Sequence, residues 1–321
     1  MDDRWAERDT TPGRVEAALR RMFVERHSQE RAYVPARVMN LVVVVDAEFR
    51  GEIENRLERV GRFHPSRLIL CAVEEGRTKL DAWAAIGVDD APQSGSIAVG
   101  RERVELTVGP RHLPKLDTIV DPLLVTDLTT MAWSPHGHHD AIDALRRLAE
   151  IVLIDTQDEP NVDHALARAA DLAEHAYIVD LAWLRSTPWR ERVAAALLFC
   201  GWLSSRLGWK PGSLSHSHER WSGRARARRH EVSVRLDFVD QNAPGLAGVT
   251  IETAAGEAVS LDRSEGGLKA VRRARDGSEQ AYTVLGASRG EAGILGEGVR
   301  QALLRDPTYR PALACARVMV S

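Results

Sequence analysis

VMNLVVVV, from Val38 to Val45, is an almost unbroken apolar and β-branched run. That is the pattern of a strand buried on both faces, and so of a parallel sheet. Arg67 to Val73, RLILCAV, repeats it, and between the two Glu48 to Val60 carries helical periodicity and ends at Gly61. Strand, helix and second strand make a right-handed crossover unit. The next stretches differ. Leu80 to Val88 and Ser96 to Val108 alternate, with Val104, Leu106 and Val108 set against Arg103, Glu105 and Thr107. Alternation predicts half-exposed antiparallel strands at a sheet edge. The parallel pattern then resumes. Leu123 to Thr126 is a strand candidate, Asp140 to Glu150 a helix, Ile151 to Ile154 a strand, Val162 to His175 a helix and Tyr177 to Ala182 a strand. Thr187 to Leu207 reads as a long helix, capped by Thr187, with Pro188 at its first position and Gly208 after its last turn.

Working outward, Thr11-Pro12 is a start signal, and Val15, Ala18, Leu19, Met22 and Phe23 predict a helix over 12–26. WKPGSLSHSHERWSG at 209–223 is rich in loop-forming residues and marks a domain boundary. Beyond it Val232 to Val239, Gly248 to Thr253, Ala258 to Leu261 and Ala281 to Leu285 alternate like strands, and Glu297 to Leu304 is helical. The expected fold class is α/β: a doubly wound, mostly parallel sheet with an antiparallel edge, followed by a smaller α+β domain. The expected layout is an N-terminal helical segment over 1–34, an α/β domain over 35–210 and a C-terminal domain over 211–321.

Composition narrows the classes. The chain has 321 residues, 44% hydrophobic and 28% charged, with a net charge of -3. A disordered chain, a collagen and a coiled coil are excluded, and so is a nucleic-acid-binding polycation. Residues 211–321 hold 16 Lys/Arg against 13 Asp/Glu, leaving the first 210 residues acidic. Three scattered cysteines, Cys71, Cys200 and Cys315, fit reduced thiols in a cytoplasm rather than a disulfide framework. The acidic start has no apolar segment of the secretory kind. The longest apolar run, Val193 to Leu203, rises about 16 Å as a helix against a hydrocarbon core of roughly 30 Å, so no membrane is expected as a partner.

Several chemical motifs are incomplete. His136-Gly-His138-His139-Asp140 resembles part of a metal-binding HxHxDH, but Ala141 stands where the last histidine belongs, so no metal is expected. Gly286-Ala-Ser288-Arg-Gly290 matches GxSxG, yet no histidine follows Ser288 to serve as the base. Neither glycine-rich phosphate loop occurs, and no cofactor is expected. Arg224, Arg226 and Arg228 alternate and, with Arg220, Arg229 and Trp221, compose an anion patch. A solvated face or an acidic protein partner suits it better than nucleic acid. Asp180, Arg185 and Arg190 surround a strand end and a helix start, where a sugar phosphate or nucleotide could bind in a sensor or enzyme.

Asp180 to Arg190, DLAWLRSTPWR, resembles the signature of the glucose-6-phosphate dehydrogenase assembly protein family, OpcA. Asn40 to Val43 is similar to that family's first strand, His64-Pro-Ser-Arg67 to its step into the second, and Leu124 to Pro135 to a further segment. The likeness covers about residues 5–210. The chain departs from the usual pattern at Thr129, Ala132 and Leu184. The resemblance implies a non-enzymatic allosteric effector that binds glucose-6-phosphate dehydrogenase and supports its active oligomer in the pentose phosphate pathway. It also implies a partner-binding set of Asp180, Trp183, Arg185, Thr187, Pro188, Trp189 and Arg190, together with His64, Arg67, Asp127 and Trp133. Relatives in photosynthetic cells tie this role to thiol redox state. Here Cys71 lies in a buried-strand pattern and Cys200 on an apolar helix, which favours inert thiols.

Overall fold

The computed structural model describes residues 3–29, 37–61, 65–88, 100–135, 137–155, 159–172, 176–179, 193–217, 220–239, 245–264, 267–285 and 290–321. Chain contacts divide it into two compact units. The first is Met1–Asp158 with Leu172–Tyr177; the second is Glu159–Asp171 with Ile178–Ser321.

The first unit opens with a short strand, β1 (Asp3–Glu7), and helix α1 (Pro12–Gln29). Then come β2 (Met39–Asp46), α2 (Arg50–Gly61), β3 (Ser66–Val73), β4 (Asp81–Val88) and β5 (Gly100–Val108). A run of short turns carries α3 (Leu116–Val120) and leads to β6 (Thr130–Trp133), α4 (His139–Leu145) and β7 (Ile151–Asp155). Helix α5 (Val162–Asp171), which belongs to the second unit, and strand β8 (Ala176–Val179) follow in the chain. The sheet order is β1-β4-β5-β3-β2-β6-β7-β8. Strands β5, β3, β2, β6 and β7 are mutually parallel. Strands β4 and β1 add antiparallel to that edge. This is the doubly wound α/β class read from the sequence.

Burial explains why the apolar runs became its centre. Every residue of β2 from Met39 to Val45 is buried, with Val42, Val43, Val44 and Val45 at 0% exposure. Such a strand is covered on both sides, as parallel strands are. The alternating strand β5 lies further in than expected, since it pairs parallel with β3 on one side and antiparallel with β4 on the other. Its polar side chains are neutralised in place. Arg103 bonds Glu54 at 2.5 Å and Glu105 at 2.8 Å, while Arg50 reaches Glu105 at 2.9 Å. Burial pushes the Glu105 carboxyl up, and Arg103 and Arg50 pull it back.

One expectation changes. Leu123 to Thr126 is not a strand: Asp121–Leu123 is a single tight turn, and the strand begins seven residues later, at Thr130. The helix expected from Thr187 is described only from Ala194, and the strand expected to reach Ala182 only to Val179. Residues 180–192 lie outside the described ones, as do 286–289 of the GxSxG match.

In the second unit α6 (Ala194–Leu207) ends at Gly208, whose φ of 67° is the left-handed cap that glycine tolerates. Strands β9 (Lys210–Pro211), β10 (Ser215–Ser217), β11 (Arg220–Arg226) and β12 (Glu231–Asp237) form one antiparallel sheet. Strands β13 (Gly248–Glu252), β14 (Ala258–Ser264), β15 (Gly267–Arg273) and β16 (Glu279–Leu285) form a second, in sequence order. Helices α7 (Gly290–Leu304) and α8 (Tyr309–Val320) close the chain. Helices α5 and α6, read from the sequence as preceding a boundary near 209–223, belong with this unit.

Helices α6 and α8 cross closely because small residues meet. Ala194, Leu197, Gly201 and Ser204 form the buried stripe of α6, and Ala312, Leu313, Ala316 and Met319 that of α8. A Cβ on Gly201 would stand 2.2 Å from the Ala312 carbonyl oxygen. Backbone cannot yield there without parting the helices. Gly201→Val should therefore destabilise the second unit by about 2 kcal/mol or more, read as a lower melting temperature; an unchanged melt would mean the crossing is looser than described.

Candidate functional site

The residues singled out by the sequence separate into three places. Arg67 and Asn40 sit at the N-terminal ends of β3 and β2, facing the turn segment that runs from Leu123 to Thr130. Trp133 lies at the opposite end of β6 and is wholly buried. His64 and the whole of Asp180, Trp183, Arg185, Thr187, Pro188, Trp189 and Arg190 lie outside the described residues.

Asn40 is the centre of the first group, with 0% exposure. Its amide nitrogen donates to the Val125 carbonyl at 3.0 Å, to the Leu128 carbonyl at 3.3 Å and to the Thr130 hydroxyl at 3.1 Å. Its amide oxygen accepts the Val125 N–H at 3.0 Å. Both backbone groups of Val125 thus bond a side chain instead of a neighbouring strand. This is why LLVT, apolar enough for a strand, turns away from the sheet. A sequence signal existed in principle: an asparagine opening an otherwise apolar buried strand must find partners for its amide.

Arg67 braces the same segment from its other end. Its Nη1 donates to the Leu123 carbonyl at 2.9 Å, and its Nε to Glu102 at 2.7 Å. Glu102, whose side chain is 1% exposed, also accepts from Arg37. The Arg37 and Arg67 guanidiniums lie 5.0 Å and 5.6 Å from the centroid of Phe23 on α1, within cation–π range. Helix α1 is thereby tied to the base of the segment. Removing one member of so buried an ionic group leaves an unpaired charge, so the pairing acts as a constraint on geometry.

What the bracing presents is a small polar tip. Thr126 and Asp127 are exposed, while Leu123 and Thr130 at either end are buried. Of the expected partner-contacting side chains among the described residues, Asp127 alone is exposed.

At the C-terminal ends of the parallel strands His138 makes a polar contact. His138 Nε2 lies 3.0 Å from Asp46 Oδ1, joining the loop after β6 to the end of β2. Asp140 stands in the first turn of α4, where negative charge is favoured. No group of three His, Cys, Asp or Glu that could hold a metal occurs among the described residues. The thiols are poorly poised for redox work. Burial pushes Cys71 up to about 12 and Cys200 to about 11, and it raises Cys315 as well, which disfavours the reactive thiolate. No helix among the described residues is long and apolar enough to cross a membrane.

Residues 57–171 match the family described as glucose-6-phosphate dehydrogenase subunit N-terminal domain, also designated OpcA glucose-6-phosphate dehydrogenase assembly. Over that span, about a third of its length, the chain is similar to the OpcA family. The matched span takes in His64, Arg67, Asp127 and Trp133 and ends before Asp180. Two curated cyanobacterial relatives carry the provisional name OxPP cycle protein OpcA. The protein of Synechococcus elongatus is 24% identical over 242 residues, covering 63% of this chain and 54% of the relative. That of Synechocystis is 24% identical over 136 residues, covering 32% and 29%. The chain thus spans about half the length of the first of these relatives or less of the second.

The Asn40 amide gives a direct check on this site. Asn40→Ala should cost about 1–3 kcal/mol, since it takes the side-chain partner from the half-buried Val125 N–H and Leu128 carbonyl. Asn40→Asp should cost a similar amount, because a carboxylate cannot donate to the Val125 and Leu128 carbonyls. Urea unfolding measures both; a loss under about 0.5 kcal/mol for either would show that the amide does not hold the segment.

Proposed function

We propose that this chain binds glucose-6-phosphate dehydrogenase in the cytoplasm, supports its active oligomer and raises its activity, without itself catalysing a reaction. The observation that carries the reading is the match of residues 57–171 to a domain described by its association with that enzyme. The sequence DLAWLRSTPWR, just beyond the matched span, extends it.

The chemistry of the proposed contact set is that of a binding surface. Trp183, Trp189, Arg185 and Arg190 are the residue types that anchor protein interfaces. Thr187 and Pro188 are suited to starting a helix and so to fixing the direction of the chain there. The buried Arg67 and Trp133 join this reading as the framework behind the surface, with His64 and the exposed carboxylate of Asp127 as further points of contact. The segment carrying Asp127 is held at both ends by Arg67 and Asn40, which lowers the ordering cost of binding. Activation asks little energetically. A tenfold preference for the active form of the enzyme amounts to about 1.4 kcal/mol of coupling.

The test uses the purified chain and the dehydrogenase of the same source. Co-elution on size exclusion and a higher turnover are expected on mixing; separate elution and an unchanged rate at micromolar concentrations contradict the reading. Within a complex, Trp189→Ala combined with Arg190→Ala should weaken binding by at least about 2 kcal/mol. Unchanged affinity in the folded double variant would remove these two from the contact set.

A further inference from the structure

We propose that the solvent-facing side of the sheet made by β9, β11 and β12 docks an acidic segment of a protein partner. The pairing register sets its composition. Arg220, Ser222, Arg224 and Arg226 share one face of β11. Opposite them on β12 stand Asp237, Arg235, Ser233 and Glu231, and Lys210 of β9 lies beside Arg226. The turn that closes the hairpin adds Arg228 and Arg229, both exposed.

The ion pairs on this face leave part of it unneutralised. Arg220 and Arg235 share Asp237, the latter at 3.1 Å, and Arg224 takes Glu231 at 2.7 Å. Both carboxylates of the face are then engaged. Among the described residues no acid pairs with Lys210, Arg226, Arg228 or Arg229, and these four gather at one end of the sheet. A local excess of positive charge therefore sits on a chain whose net charge is -3. Exposed ion pairs contribute little to folding, so the excess has no visible structural purpose.

The other face shows which anion fits. It is apolar and covered: Leu214, Ala225, Val234 and Leu236 are all buried. Trp221 belongs to that side, and its ring meets His216 at 4.9 Å. The tryptophan read from the sequence as part of the anion patch is turned away from the arginines. Single-stranded nucleic acid is commonly bound by cations set beside an aromatic platform, and the described residues of this face carry no Phe, Tyr or Trp. Glu231 and Asp237 within the face would also repel a continuous phosphate backbone. An extended acidic peptide suits the geometry better. Alternate residues along it recur every ~6.8 Å, matching the spacing of alternate arginines on a strand, and guanidinium takes carboxylate in a bidentate fork. Nothing in this rests on the dehydrogenase reading.

The experiment measures fluorescence anisotropy of a fluorescein-labelled ten-glutamate peptide with the full chain, at low and at physiological salt. A single-stranded oligothymidine is the second probe. The expected result is peptide binding at low salt that weakens as salt rises. R226E/R228E/R229E should lose at least about tenfold, while the same charge change elsewhere, R111E/K115E/R146E, leaves binding intact. Since Glu at 226 would face Glu231, the neutral R226Q/R228Q/R229Q guards against misfolding and should also lose affinity. No peptide binding at low salt, equal loss in both reversal variants, unchanged affinity in R226Q/R228Q/R229Q, or tighter binding of the oligothymidine would each overturn the proposal.

Discussion

One primary amide, that of Asn40, sits at the middle of the sheet with no exposure to solvent and four hydrogen bonds to a segment some ninety residues away. The strand that carries it is apolar on both faces. In such surroundings an unpaired amide is costly, and a fully paired one dictates what lies beside it. Here it dictates that the chain between Leu123 and Thr130 runs as turns past the N-terminal ends of β3 and β2 and enters β6 in one register. Arg67 performs the same task from the neighbouring strand, through the Leu123 carbonyl and Glu102.

This gives the resemblance a physical content. Asn40, Arg67 and the Leu124 to Pro135 segment were singled out separately along the sequence, and in the fold Asn40 holds the third while Arg67 fixes Leu123, the residue just before it. They are scaffold residues whose effect is felt at an exposed tip. Trp133, from the same segment, is a core side chain at the far end of its strand. A surface contact that depends on such a segment would be sensitive to substitutions that never touch a partner.

Much of the first unit was legible because its centre is written in long apolar runs. Val38 to Val45 and Arg67 to Val73 are covered on both sides and have few ways to fold otherwise. The errors fall where a local pattern met a distant partner. Leu123 to Thr126 is apolar enough for a strand, but Asn40 takes the backbone bonds a strand would need. Strand β15, GLKAVRR, gives little warning because its side chains alternate weakly between buried and exposed. Strand β1, DRWAE, is legible only through its pairing with β4. Trp221 shows the limit of composition: adjacency to arginines in sequence became opposition across a sheet. The stretch from Asp180 to Arg190 lies outside the described residues, so its proposed contact role rests on residue type and order alone.

The central claim is that the stretch from Asp180 to Arg190 meets another polypeptide. Amide hydrogen exchange across 180–192, followed in the chain alone and in the presence of the dehydrogenase, tests it most directly. Slower exchange confined to this stretch and to the Asp127 tip is predicted. Exchange there that stays the same while protection arises elsewhere would contradict the account.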